Sequence, residues 1–490
     1  METQRAQALS RPELLRLVEA LQCELAALRA ELEKQRAESR AKLAAALARI
    51  AELELALAKA QKNSRNSAKP PSSDIVKPAP QGSNSAHRRS GAQPGHARHE
   101  RAPFPPEQVD RRVDHTPRRC PQCGGKLQPE AEPAVVVQQV EFVAQPFEVT
   151  EHLAANCRCA RCGLEVPAAL PAEVERAGLF GPRLTAHVAW LKTRGHLSYS
   201  TLQEYLADVC GLAVSRGFLD KIVQKAARGL RPVWEALREA LPDEPRLHVD
   251  ETGHPEKRQR LWTWVFRARL FSLFLIADSR GAKVLERTLG RAFPGILCAD
   301  YFSAYRKYLG EHNVLVQFCL AHFIRDARFL AELPDPVTRR YGQKVVRRLR
   351  QLFRVLHWRA RYATAETFQR ALERARDRLR ETVLRAPARR EAQNLAERFR
   401  QHGSAYLRFV TTPGLEPTNN LAEQALRFVV LDRRVTQGTR SLNGRTARET
   451  LWTIAATCRQ QGRSLYRYLV EAISAYFAQQ SLPSLMPAGP

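Results

Sequence analysis

Arg246-Leu247-His248-Val249-Asp250 and Gly295-Ile296-Leu297-Cys298-Ala299-Asp300 are two short apolar runs, each closed by an acid. Runs of this length, rich in Val, Ile and Leu, read as strands. The closing Asp puts a carboxylate where α/β sheets gather functional groups. Between them, residues 261–267 and 270–278 predict a hairpin containing Trp262 and Trp264, and Ser279-Arg280-Gly281 opens a helix. A mixed α/β core over 243–325 follows.

Downstream, residues 326–410 turn helical and basic. From 331 to 400 there are 19 Lys+Arg against 8 Asp+Glu, a balance of +11. Val346, Leu349, Leu352, Phe353 and Leu356 recur at helical spacing. The segment reads as an all-helical insertion with a cationic face that carries Arg347, Arg348, Arg350, Arg374, Arg376 and Arg378; a merely solvated face is the plainer account. Pro417-Thr418-Asn419-Asn420-Leu421-Ala422-Glu423 then supplies capping residues for a new helix with Glu423 in its first turns. Residues 411–435 rejoin the core, and 436–490 continue as helices.

Upstream, residues 170–242 are helical. Residues 197–206 begin with Ser/Thr capping, Gly211 makes a turn, and a helix starts at Ser215 with Arg216 near its N-terminus. That is a helix-turn-helix outline, in which the second helix presents its N-terminal residues to base edges; an ordinary helical hairpin fits as well. Residues 111–168 hold five of the ten cysteines. Cys120-Pro-Gln-Cys123 and Cys159-Ala-Arg-Cys162 are two knuckles separated by a Val-rich stretch, the pattern of a zinc ribbon holding one Zn²⁺ on four thiolates. Cys157 is a spare or substitute ligand. Residues 63–110, rich in Pro, Ser, Arg and His, read as a basic arm or a passive linker. Residues 8–62 carry Leu14, Leu21 and Leu28 in one row and Val18, Leu25 and Leu32 in another, resuming at Leu43 after a stutter. This predicts a coiled coil that joins copies of the chain, or else a long helix packed on its own core.

The chain of 490 residues carries 78 Lys+Arg and 50 Asp+Glu, a net charge of +28. So basic a protein most plausibly meets nucleic acid. Its longest apolar run, 270–277, falls far short of the roughly 20 residues that span a bilayer. The N-terminus lacks the apolar stretch of a signal peptide. A cytoplasmic, nucleoid-associated protein with no membrane partner is expected, where paired cysteines hold metal more often than disulfides.

Asp250, Asp300 and Glu423 are the acids best placed for chemistry. Two carboxylates on neighbouring strands and a third on a facing helix can hold two divalent cations for phosphodiester chemistry, and carboxylate oxygens suit Mg²⁺ (or Mn²⁺). Plainer accounts exist for each. The two aspartates can be strand caps, Glu423 with Arg427 can be an i, i+4 helix pair, and Glu251 competes with Asp250 as a ligand.

Four blocks carry a resemblance: Asp250-Glu251-Thr252-Gly253; Ala299-Asp300-Tyr301-Phe302-Ser303-Ala304-Tyr305; Cys319-Leu320-Ala321-His322-Phe323-Ile324-Arg325-Asp326; and Thr418-Asn419-Asn420-Leu421-Ala422-Glu423-Gln424-Ala425-Leu426-Arg427. They resemble, in order, the catalytic blocks of the insertion sequence sixty-six family of bacterial transposases. Asn66-Ser67-Ala68-Lys69-Pro70-Pro71-Ser72-Ser73-Asp74, Gln93-Pro94-Gly95-His96 and the knuckles resemble that family's N-terminal region. The resemblance implies a multidomain α+β protein with a ribonuclease-H-like core, interrupted by the helical insertion before the Glu. It maps an Asp-Asp-Glu triad onto Asp250, Asp300 and Glu423. Gln424 stands where the family commonly has Arg.

His322 and Arg325 match a family block and can contact phosphate; a hydrogen-bonded core histidine is the simpler account of His322. Arg216, Arg347, Arg348, Arg374 and Arg427 complete the expected DNA contacts. The implied activity is Mg²⁺-dependent cleavage and strand transfer at transposon ends and target DNA, with helper proteins an open question. The rivals are a zinc-ribbon DNA-binding protein with a degenerate core and a hydrolytic nuclease.

Overall fold

A five-stranded sheet positions the two aspartates: β3 (Arg246–Glu256), which contains Asp250, β4 (Gln259–Arg267), β5 (Ser272–Ala277), β6 (Ile296–Ala299), which Asp300 follows, and β7 (Leu315–Phe318). Their order across the sheet is β5-β4-β3-β6-β7. β3, β4 and β5 form an antiparallel meander, while β6 and β7 run parallel to β3.

β3 does not stop at Asp250. It continues six residues further because each finds a partner in β4, up to Glu256 opposite Gln259. Gly253 and Pro255 are poor strand residues, yet they pair with Trp262 and Arg260. The pairing overrides local propensity. A turn with Lys257 at φ 51° closes the hairpin. Gly438, at φ 87°, lies against it; a Cβ there would meet the Pro255 carbonyl at 2.0 Å, so the following loop can dock only with glycine.

The computed structural model describes residues 10–62, 104–112, 122–123, 138, 148–154, 156–158, 162, 165–167 and 169–486. It divides into two compact units. Met1–Lys77, Pro171–Leu202 and Gly217–Pro490 form one; Pro78–Leu170 and Gln203–Arg216 form the other. The first begins with α1 (Arg11–Ala60), a single 50-residue helix. Ser10 and Glu13 close a capping box at its start, and no residue of α1 is buried. Leu14, Leu21 and Leu28 stay 40–64% exposed, so the apolar seam is not covered by the chain's own described core.

In the second unit, β1 (Asn156–Arg158) and β2 (Glu165–Pro167) pair antiparallel, with Cys157 opposite Val166. Cys162 lies in the turn between them, exposed, and Cys123 is exposed in a separate turn. Cys120 and Cys159 fall outside the described residues, as does most of the basic arm, so the four-thiolate expectation does too.

The helical region comprises α2 (Ala172–Ala177), α3 (Pro182–Thr193), α4 (Tyr199–Asp208), α5 (Arg216–Gly229) and α6 (Arg231–Glu239). Gly211, at φ 66°, lies between α4 and α5. After the meander come α7 (Ala282–Leu289), α8 (Ser303–His312) and α9 (Leu320–Glu332). The insertion is three helices: α10 (Pro336–His357), α11 (Ala365–Leu384) and α12 (Arg390–Leu407). Val346, Leu349 and Leu352 are buried in it, as their spacing predicts. The chain then returns through α13 (Asn420–Thr436), α14 (Leu442–Gln460) and α15 (Leu465–Phe477).

Each face of the sheet has its own cover. Val265 and Phe274 pack with Ala422, Leu426 and Val429 of α13 and Trp452 of α14. On the opposite face Trp264 meets Tyr305 of α8 edge-on at 6.1 Å. α14 also closes the outer edge of β5. The backbone N–H groups of Ile276, Phe274 and Ser272 donate to Glu449 (2.7 Å), Thr453 (2.9 Å) and Thr457 (3.2 Å). Every second N–H of an edge strand points outward, and residues four apart on a helix share a face, so the two rows meet.

Candidate active site

The register of β3 and β6 aligns His248 with Cys298. Two residues further on, Asp250 lies beside Asp300, and strands so paired sit about 4.8 Å apart. Side chains directly across a parallel pair share a face. Asp250 is opposite Val265 on the other side, so both aspartates face α13.

Glu423 enters from that helix. Ala422, Leu426 and Val429 form its buried stripe, which leaves Glu423 in the first turn beside the two strands. The three carboxylates feel one another. Burial first, then the charges of Glu251, Asp300 and Glu423, raise the Asp250 carboxyl well above the usual range. Burial raises Asp300, offset by the Phe302 N–H donating to it at 2.9 Å and by the charges of Arg280 and Arg325. Burial also raises Glu423, against the opposing pull of Arg325 and Arg427.

One residue fixes this arrangement. Asn419 caps α13 by position, yet its side chain makes no capping bond. It is turned to the sheet instead. Its amide nitrogen donates to the Val249 carbonyl (2.8 Å), and its oxygen lies 3.1 Å from His248 Nδ1. Since an amide oxygen only accepts, Nδ1 of His248 carries the proton. Asn419 therefore ties the helix carrying Glu423 to the strand carrying Asp250. Leu320 N–H to Pro417 O (2.9 Å) adds a second tie from α9.

Glu251 points to the other face. Arg280 Nε donates to it at 2.7 Å and the Tyr305 hydroxyl also bonds it. Both carboxylate oxygens are thus engaged, and the competing-ligand reading loses its support. The i, i+4 pair is not formed either: Glu423 Oε1 lies 3.8 Å from Arg325 Nη2 and 4.0 Å from His322 Nδ1, while Arg427 is exposed.

His322 is not a hydrogen-bonded core histidine. Its Nδ1 is buried without a hydrogen-bond partner, as is Glu423 Oε1. Burial and the charges of Arg325 and Arg398 push its imidazole down to about 3, so it stands neutral at physiological pH.

Arg398, on α12 of the insertion, was not singled out by the sequence. It pairs with Asp326 at 2.8 Å and lies over the ring of Tyr301, next to Asp300, at 4.9 Å. Tyr301, Phe318, Phe323, Phe399 and Tyr406 form the aromatic layer that joins insertion to sheet. A basic residue among many in a basic helix gives no signal of such a role. Arg216 is the exposed first residue of α5. Arg347 and Arg374 are exposed on α10 and α11, and Arg348 bonds Gln351 and Thr382. Among the described residues none of Arg347, Arg348 and Arg374 is hydrogen-bonded or ion-paired to the three acids.

The acids suit divalent cations. They are oxygen donors crowded together with raised proton affinities, and Glu423 Oε1 is buried with its hydrogen-bonding capacity unspent.

Comparisons with known proteins agree with this picture in outline. The chain is 26% identical over 395 residues to the uncharacterized protein y4hP of Sinorhizobium fredii (strain NBRC 101917 / NGR234), covering 73% of this chain and 71% of that one. It is 26% identical over 234 residues to y4jD of the same strain, covering 43% of this chain and less than half, 45%, of that one. Residues 6–102 match a family of unknown function (DUF6444). Residues 177–447, more than half of the chain and all three acids, match the model of the Transposase IS66 family, and the chain belongs to that family.

Proposed function

We propose that the protein cleaves and rejoins DNA strands at transposon ends, with Asp250, Asp300 and Glu423 as its catalytic acids. The observation that carries this reading is the placement of Asp250 beside Asp300 on parallel strands, with Glu423 near enough to raise the Asp250 carboxyl. The sheet order, an antiparallel meander extended by two parallel strands, supports a ribonuclease-H-like core. The three acids would hold Mg²⁺ (or Mn²⁺), which supplies a Lewis acid for the phosphoryl oxygen and for the attacking water or 3′-hydroxyl.

The chain's own groups do the rest. Arg325 and Arg398 bring fixed positive charge to the rim, where a scissile phosphate needs it. His322, neutral, serves as a hydrogen-bonding group and not as a counter-charge. Arg280 stacks on Phe302 at 3.7 Å while bonded to Glu251, which holds the loop after β6 in place. The exposed seam of α1 supports pairing of subunits through a coiled coil, and the knuckle at Cys162 supports a zinc ribbon holding DNA. No helix among the described residues is long and apolar enough to cross a membrane.

The test uses DNA carrying the element's own ends. Asp250→Asn, Asp300→Asn and Glu423→Gln should each reduce cleavage to background with Mg²⁺ while band shifts with the same DNA stay near wild type, because positioning comes from other surfaces. A variant that still cleaves removes its acid from the triad. Cleavage without joined product would favour a hydrolytic nuclease.

A further inference from the structure

Beside the acids lies a second constellation of a different chemical character. Cys319, His322 and Glu423 each place one ligand atom within 4.8 Å of the others. His322 Nδ1 and Glu423 Oε1, 4.0 Å apart, are buried and lack hydrogen-bond partners. Buried polar atoms left this way ask for an explanation, and a bound ion is one of the few.

Cys319 supplies the third. It is the N-cap residue of α9. The backbone N–H of Asn419 donates to its sulfur at 3.2 Å, and those of Ala321 and His322 are also directed at it. Burial outweighs these donors and raises the thiol above its ordinary value, so Cys319 holds its proton until a cation displaces it, and the N–H groups then stabilise the thiolate that remains.

We propose that Cys319, His322 and Glu423 form a binding site for a thiophilic divalent cation such as Zn²⁺, which competes with Mg²⁺ for Glu423.

One thiolate, one imidazole and one carboxylate, with a fourth position open to water, is a donor set that suits Zn²⁺ and discriminates against Mg²⁺. With Zn–S of about 2.3 Å and Zn–N and Zn–O of about 2.0 Å, tetrahedral geometry needs ligand atoms about 3.3–3.7 Å apart. The cluster is at most about 1.5 Å wider, and its His322 Nδ1 and Glu423 Oε1 lie 4.0 Å apart. Glu423, one third exposed on the first turn of α13, has the rotamer freedom to close that gap. Charge permits it as well. Arg325 and Arg398 face His322 and oppose a cation. Thiolate and carboxylate bring two negative charges to offset the two on the ion, and Cys319 releases its proton on binding. The site depends on the three side chains alone. Its effect on chemistry rests on the reading of Glu423 as a catalytic acid: a Glu423 carboxylate turned to close on Cys319 and His322 would be drawn off Asp250 and Asp300, so Zn²⁺ would compete with Mg²⁺ for it.

The test titrates metal-stripped, full-length protein with Co²⁺, whose thiolate charge-transfer absorption reports bound sulfur. The cysteine knuckles contribute equally to wild type and Cys319→Ser, so the difference spectrum isolates Cys319. Serine can still accept N–H bonds at the N-cap, and His322→Gln gives an independent variant; circular dichroism checks that both fold. The expected result is about one equivalent fewer Co²⁺ and a lost absorption component in each variant. Equal spectra and equal stoichiometry for wild type and both folded variants would overturn the site. Cleavage at fixed Mg²⁺ is then measured with and without added Zn²⁺, each protein being normalised to its own Mg²⁺ rate. Inhibition at least tenfold weaker in Cys319→Ser than in wild type supports the competition. A Co²⁺ signal dependent on Cys319, joined to Zn²⁺ inhibition that ignores it, would overturn the competition and leave the metal site standing. Loss of the catalytic reading itself would show separately, as Glu423→Gln protein that still cleaves.

Discussion

Asn419→Ala tests how the candidate site is held together. The side chain is 2% exposed and makes two hydrogen bonds, to the Val249 carbonyl and to His248. Removing it deletes both, at about 1 kcal/mol each. It also strands the proton on His248 Nδ1 in a buried setting, which raises the total to about 2–4 kcal/mol. The backbone bond from Asn419 N–H to Cys319 survives, so α13 keeps its start but loses its lateral tie to β3. At about 2.1 cal/mol/K per residue, a unit of this size loses roughly 1 °C of midpoint per kcal/mol, so melting should fall by about 2–5 °C. Glu423, one turn along the same helix, should lose its fixed distance from Asp250, and cleavage should fall more than the folded fraction explains. Asn419→Asp should do worse, because it sets a carboxylate oxygen against the Val249 carbonyl. Calorimetric melting and single-turnover cleavage at saturating Mg²⁺ measure the two effects. A variant within about 0.5 kcal/mol of wild type would refute the clamp, since that is the range of unremarkable surface substitutions. Lost stability with an unchanged single-turnover rate would refute the positioning role.

Thr453→Val should destabilise by about 1–3 kcal/mol in urea unfolding, because the Phe274 N–H loses its buried acceptor while the volume is conserved. His254, bonded to Thr439 and Thr263 and faced by Glu256, Arg433, Arg445 and Arg448, is pushed down to about 4 by burial. The unfolded chain therefore takes up this proton first as pH falls below about 6.5. Roughly 3 kcal/mol of stability should be lost between there and about pH 4, and His254→Gln should flatten that limb of the melting profile. Replacing Arg347, Arg350, Arg374 and Arg378 together should lower affinity alike for element ends and random DNA, and flatten the salt dependence by about one unit per lost phosphate contact; an unchanged slope would make the insertion a structural spacer. Deleting residues 10–62 should reduce the molar mass seen by light scattering to that of a single chain, and an unchanged mass would remove α1 as the pairing device.

The strands that lead into Asp250 and Asp300 were legible because their apolar residues announce a buried sheet. The helix carrying Glu423 was legible from its capping cluster of Thr418, Asn419 and Asn420. What the sequence hid was pairing and direction. The extension of β3 to Glu256 depends on β4, and Gly253 and Pro255 argue against it locally. β7 is four residues long and carries a buried polar Gln317, so its period does not stand out. Asn419 read as a helix cap because its type favours caps, and only the nearby Val249 carbonyl and His248 redirect its side chain. Glu251 and Asp250 are equivalent in composition; the alternation of the strand, together with Arg280 29 residues away, tells them apart.

The row of bonds between α14 and β5 works as a vernier. Two residues of strand advance about 6.7 Å, and four residues of helix about 6.0 Å. The two scales slip by roughly 0.7 Å at each rung. The bonds lengthen in step, from 2.7 Å at Ile276 through 2.9 Å at Phe274 to 3.2 Å at Ser272. Past the strand the contact changes in kind: Gln460 and Gln461, at the end of α14, reach out to the Ala268, Arg269 and Leu270 carbonyls, so side-chain length takes up the slip where β5 begins at Ser272. The edge of β5 is thereby closed to a strand from a second copy by geometry, independently of the chemistry of the acids.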